Sequence, residues 1–224
     1  MFLPYNVDVP MRQYPIANWA VITATCAVSL WLLTLESYPA WALNTPGSFS
    51  IVSILGSLFA HAGPIHLIGN MIFLFVFGNA VNAKLGHLPF LALYFVVGLV
   101  EGVVWSWLGS APSLGASGAI MGVVGAFLVF YPRNDVSVGY WFAFFAHGSF
   151  SVSACWVVAA YVAFDIWGLA TGGSGGVAYL SHVTGALTGF GLALGAAAAG
   201  LFPSERHEEN ILEALGVRKH PDTH

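Results

Sequence analysis

Apolar residues run through this chain in long blocks, separated by short polar, glycine-rich or proline-marked stretches. A helix needs about 20 consecutive, mostly apolar residues to cross a bilayer core. Blocks of that kind lie at 16–35, 65–85, 88–108, 114–131, 152–171 and 177–201, which predicts six spans. A shorter stretch, 50–60, places Ile51, Ile54, Leu55, Leu58 and Phe59 at helical spacing with serines between them. It is too short to span and suits a helix lying at the membrane interface. Residues 137–171 are apolar throughout and would make one helix about 50 Å long at a rise of ~1.5 Å per residue. That exceeds a single crossing, so 138–150 is expected to be an interfacial or partly buried lead-in to the fifth span.

Composition supports a membrane chain. Hydrophobic residues make up 58% of the 224 and charged ones 7%, too few charges to cover a water-facing surface. One domain is expected, an all-α bundle of six transmembrane helices over 15–201. A cytoplasmic N-terminal tail, 1–14, and a charged, mobile cytoplasmic tail, 202–224, flank it. Six Lys and Arg without a basic run exclude a nucleic-acid partner. Cys26 and Cys155 both sit in apolar runs, so no disulfide framework is expected. With six spans, Arg12, Lys84, Arg133, Arg206, Arg218 and Lys219 all fall on one side, which the positive-inside rule makes cytoplasmic. The short tails suggest a prokaryotic plasma membrane.

This topology puts several polar groups in one layer. Ser117 opens the fourth span within Gly115-Ala116-Ser117-Gly118, His66 and Asn70 open the second, and His182 lies near the start of the sixth. All three helices run inward from the outer face, so these residues lie at a similar shallow depth. Ser117, like any serine, is a weak nucleophile until a base takes its proton, and His182 is the candidate base. Gly185 and Gly189 share the face of His182, and Gly118, Gly122 and Gly125 form a small-residue stripe on the fourth span. Two such faces allow close helix packing. His66, Asn70 and the Ser117 N–H are candidate donors to an oxyanion. Asp165 could orient His182 as a third member, hydrogen-bond elsewhere in the bundle or face water near the mouth of the site; Glu101 could line a cavity or sit protonated. His61, His66 and His182 admit a zinc site in principle. They lack a His-Glu-x-x-His pattern, and neither metal nor cofactor is expected.

Taken together, His61-x4-His66-x3-Asn70, Gly115-Ala116-Ser117-Gly118, His182-x2-Gly185-x3-Gly189 and Tyr131-Pro132-Arg133 resemble the rhomboid family of intramembrane serine proteases. The resemblance covers about residues 61–194. It implies a Ser117–His182 dyad, an oxyanion hole from His66, Asn70 and the Ser117 N–H, and single-span membrane proteins cut near the outer face. His61, Gly115, Met121 and Asp165 would line or gate the site, and the fifth span with the turn 172–176 would form a movable gate and cap. The chain differs from some members in three ways. It has no Lys or Arg between Arg12 and Lys84, Asn82 stands where many have an acid, and Met121 stands where some have an aromatic ring. A non-catalytic protein that binds membrane clients in the same groove is the alternative function. A transporter using Glu101 and Asp165 is a third, weakened by the lack of partner groups in the inner half of the spans.

Overall fold

The computed structural model describes residues 2–142, 146–172, 177–205 and 208–219. The elements in order are β1 (Phe2–Val7), α1 (Ile16–Leu32), α2 (Ile51–Ser57), α3 (Pro64–Phe73), α4 (Asn79–Leu85), α5 (His87–Leu108) and α6 (Ser117–Phe130). They continue with β2 (Asp135–Phe142), β3 (Ala146–Ser153), α7 (Ala154–Thr171), α8 (Tyr179–Ala198) and α9 (Ile211–Ala214). A π-helical turn, Leu74–Gly78, joins α3 to α4 in one rod, Pro64–Leu85. A π-turn tips a carbonyl out of the helical ladder, and here Asn18 Nδ2 donates to the Leu74 carbonyl at 2.8 Å.

Among the described residues, four rods are long and apolar enough to cross a membrane: Pro64–Leu85, His87–Leu108, Ala154–Thr171 and Tyr179–Ala198. The expected first and fourth spans are shorter, at 17 residues for α1 and 14 for α6. The shortness of α6 has a local cause. Its approach, residues 113–116, runs as irregular backbone pinned by the long connection before α3. Asn44 and Ser113 exchange two backbone hydrogen bonds at 2.9 Å, and the Gly115 N–H donates to the Ser57 carbonyl at 2.9 Å. Non-helical backbone at this depth is tolerated only where protein satisfies its polar groups. Helix α2, expected at the interface, is anchored: Ile54 and Leu58 are fully buried against Gly102 and Gly98 of α5.

The core is built around α6, which is buried from Gly118 to Phe127. A methyl group at Gly185 of α8 would run into the Gly118 carbonyl, one at Gly189 into the Gly122 carbonyl, and one at Gly125 into the Ala186 carbonyl. Matching positions advance together along both helices, so α6 and α8 run parallel with their backbones touching.

Two expectations are corrected. The fold is not all-α: Asp135–Phe142 and Ala146–Ser153 pair as antiparallel strands rather than forming a helical lead-in, and the N-terminal segment adds a third strand. The sheet order is β1-β2-β3, antiparallel throughout, with Val7 opposite Val136 and Asp135 opposite Ser153. Its cause is the alternation of Val136, Val138 and Tyr140 with Ser137 and Gly139, a two-residue period that buries Val136 and Val138. The C-terminal tail, in its described part, is also fastened rather than loose. Glu208 is fully buried and pairs with Arg12 and, at 2.5 Å, with Lys84. Arg133 pairs with Glu209 at 2.6 Å, Arg218 donates to the Ala197 carbonyl at 2.7 Å, and Asn210 with Glu213 closes a capping box on α9. These basic residues all gather at the ends of α4, α6 and α8 opposite the ends that carry Asn70, Ser117 and His182.

Candidate active site

Ser117 is the first residue of α6 and half-buried. Its backbone N–H is at a helix start, where amides lack an intrahelical acceptor and the helix dipole is positive. Because Gly118 faces Gly185, and His182 stands one turn before Gly185, the imidazole of α8 lies at the level of the hydroxyl of α6. His182 Nδ1 is 3.0 Å from Asp165 Oδ1 on α7. Asp165 is itself buried.

His66 and Asn70 occupy one face of α3, a helical turn apart. A methyl group on Gly115 would lie 2.9 Å from His66 Cε1, 3.2 Å from its Nε2 and 3.9 Å from Asn70 Nδ2. Gly115 has φ +123, a conformation that favours glycine. The backbone entering α6 therefore passes directly beneath both side chains. Asn70 is buried, and its Nδ2 has no hydrogen-bond partner among the described residues. A buried amide donor without an acceptor is uncommon outside functional sites. His66 is exposed and close enough to His182 for their charges to interact.

The remaining expected residues are walls and supports. His61, in the connection ahead of α3, is fully buried, with its ring edge-on to His66 at 5.0 Å. Its carbonyl accepts from Tyr38 Oη at 2.8 Å, and its Nδ1 lies 2.9 Å from Ser29 Oγ. Ser29 has one hydrogen and gives it to the Phe59 carbonyl at 2.7 Å, so His61 Nδ1 carries the proton in this pair. Burial, reinforced by His66, lowers the His61 pKa to about 3, which keeps the ring neutral. Met121 is buried one turn along α6 from Ser117, an apolar wall. Of the turn expected to act as a cap, residues 173–176 lie outside the described residues. Among the described residues, no three His, Cys, Asp or Glu side chains are arranged to hold a metal ion.

Sequence reasoning missed two residues and left a third without a direction. Ser29 and Tyr38 fix His61 from 32 and 23 residues away, and no local pattern marks either. The third, Glu101, packs its carboxyl against Gly118, the neighbour of Ser117. It was visible as an acid in a span, but its direction was not.

The fold and site define a helical membrane protein with a serine, a histidine and amide donors gathered where helix ends meet. Residues 48–198 match the Rhomboid domain, and the chain belongs to the rhomboid family. It is 32% identical over 120 residues to rhomboid protein 1, mitochondrial, of Saccharomyces cerevisiae, covering 47% of this chain and 35% of that protein. Against presenilin-associated rhomboid-like protein A, mitochondrial, of Danio rerio, identity is 34% over 138 residues, covering 59% and 34%. Against the rhomboid protease GlpG of Yersinia pseudotuberculosis it is 27% over 189 residues, covering 83% and 60%. The chain thus spans about a third of the length of the first two relatives.

Proposed function

We propose that this chain is a serine endopeptidase that cuts single-span membrane proteins near the outer face of the membrane. Ser117 Oγ attacks the scissile carbonyl carbon while His182 Nε2 takes its proton. The resulting oxyanion is held by the Ser117 N–H, Asn70 Nδ2 and His66. His182 then returns the proton to the leaving amine, and water releases the acyl group by the same route. The observation that carries this function is the parallel, methyl-free packing of α6 on α8, in register for Ser117 and His182. The unpaired Asn70 amide supports it, as does the family: a relative is named a protease.

Six crossings with both termini on the cytoplasmic side are part of this proposal. What supports them is the collection of Arg12, Lys84, Arg133 and Arg218 at one end of the bundle. The matched relatives include mitochondrial as well as bacterial proteins, and the plasma membrane is kept as a proposal alongside them. Labelling the purified protein with a fluorophosphonate tests the nucleophile. A covalent adduct on Ser117, absent in His182→Ala, is expected; an unlabelled native protein contradicts it.

A further inference from the structure

We infer that the groove between α1 and α3, bordered by β1, is a binding site for one acyl chain of a membrane phospholipid. The groove encloses about 620 Å³, within the range of small-molecule pockets. Its wall on α1 is Ile22, Cys26 and Leu30, four residues apart and therefore on one helical face. Its floor on the second rod is Leu67, Met71 and Val76, all buried, while Ile68 stands exposed at the rim. β1 closes one side with the buried Pro4. Neither the groove nor its occupant depends on the chemistry at Ser117.

The lining decides the chemistry of the occupant. Its surface is almost wholly apolar. A water molecule needs two to four polar partners to stay in a buried site, and this surface does not offer them. An empty groove would forfeit dispersion contacts along both helices. Hydrocarbon restores those contacts, and both helices cross the bilayer in the topology proposed above, so lipid chains are the medium at hand.

Size then selects a chain over a helix. From Pro64 to Val76 the rod rises about 18 Å, a little over half of a ~30 Å hydrocarbon core and so the depth of one leaflet. Spread over that length, 620 Å³ leaves a section of about 34 Å², whereas a helix about 10 Å wide needs about 80 Å². A transmembrane helix, from a client or a second copy, would rest on the rim without entering. Pro64 opens the rod at the end that carries His66 and Asn70. The chain therefore enters from the leaflet at that end, the outer one in the proposed topology. No Lys or Arg lies between Arg12 and Lys84, so neither helix offers a cation to a headgroup phosphate, and recognition rests on the chain.

Photolabelling tests the site. The full chain is reconstituted in phosphatidylcholine vesicles that carry a trace of phosphatidylcholine with a diazirine on one acyl chain. After irradiation, the adducts are located by mass spectrometry. Adducts in 22–30 and 67–76 are expected to exceed those at the exposed Trp156 of α7 and Leu187 of α8 by roughly tenfold. Cys26→Phe, which fills the groove from its half-buried wall, should bring the groove adducts down to the level of Leu187 and leave the unfolding temperature equal or higher. Ile68→Trp, at the exposed rim, should act in the same way and serves if Cys26→Phe does not fold. Native mass spectrometry in mild detergent should show one retained phospholipid, lost in both variants. Adducts that follow exposure alone, or that both variants leave unchanged, would overturn the site in favour of ordinary boundary lipid. Groove adducts that vanish as protein density in the vesicle rises would overturn it in favour of a second copy.

Discussion

Gly185 of α8 sits against the carbonyl of Gly118 of α6 with no room for a methyl group between them. Ser117 and His182 can share one site only because of this contact and its repeat at Gly122 and Gly189. Gly189→Ala is therefore expected to force the helices apart, costing about 1–3 kcal/mol or more, and to lower turnover with it. Gly191→Ala and Gly195→Ala, on the same helix but facing open space, should be neutral or gain up to about 1 kcal/mol from helix propensity. Thermal unfolding in detergent, read beside cleavage rate, distinguishes the two faces.

At the other end of the bundle, Glu208 gathers Arg12 and Lys84. The side chains of Lys84 and Glu208 are 1% and 0% exposed. Removing one partner of a buried pair leaves the other charge uncompensated, at a cost of about 3–5 kcal/mol. Glu208→Gln should lower the unfolding temperature sharply. Glu205→Gln, whose side chain is 65% exposed opposite the same Arg12, should cost no more than about 1 kcal/mol. Equal effects would mean that the tail is not held by this buried pair.

How much of this was legible in the sequence follows from how local each signal is. The long rods were legible because twenty-residue apolar blocks have one physical meaning, and the expectation of one layer for Ser117, His182, His66 and Asn70 came from counting spans. The strand pair was missed although Val136, Val138 and Tyr140 alternate with Ser137 and Gly139, because the apolar run masks a two-residue period. The Asn210 and Glu213 capping box was also present as a pattern. The Glu208 contacts were not, since Arg12 and Lys84 lie 196 and 124 residues away. The Asp165–His182 pair stood as one option of three, because it depends on how α7 seats on α8, with Gly168 against the Tyr179 ring, a register that no sequence period encodes.

His61 makes stability depend on pH. Its folded pKa of about 3 lies below the ordinary value near 6.5. As pH falls through 6.5, the unfolded chain takes up a proton that the folded chain refuses, so stability declines from there toward pH 3. Between pH 6.5 and 5 the loss is about 2 kcal/mol. Unfolding measured across this window should show that slope in the native protein and a flatter one in His61→Gln. Identical slopes would rule out His61 as the source.

Asn70 separates catalysis from stability. Its Nδ2 bonds to nothing among the described residues, so its hydrogen bond is expected to form only with the oxyanion. Asn70→Ala should reduce kcat by about 10²–10³-fold while KM and the unfolding temperature stay nearly fixed. A variant that melts early but turns over normally would assign Asn70 to the scaffold.

The most direct test is proteolysis itself. The native chain and Ser117→Ala are reconstituted separately in vesicles with a single-span membrane protein, and the cleaved fraction is followed over time. The native chain should cut the substrate near its outer membrane boundary, and Ser117→Ala should fall by several orders of magnitude, to background. Equal cleavage by the two, or none by a folded native chain across a panel of single-span substrates, would contradict a serine protease built on Ser117.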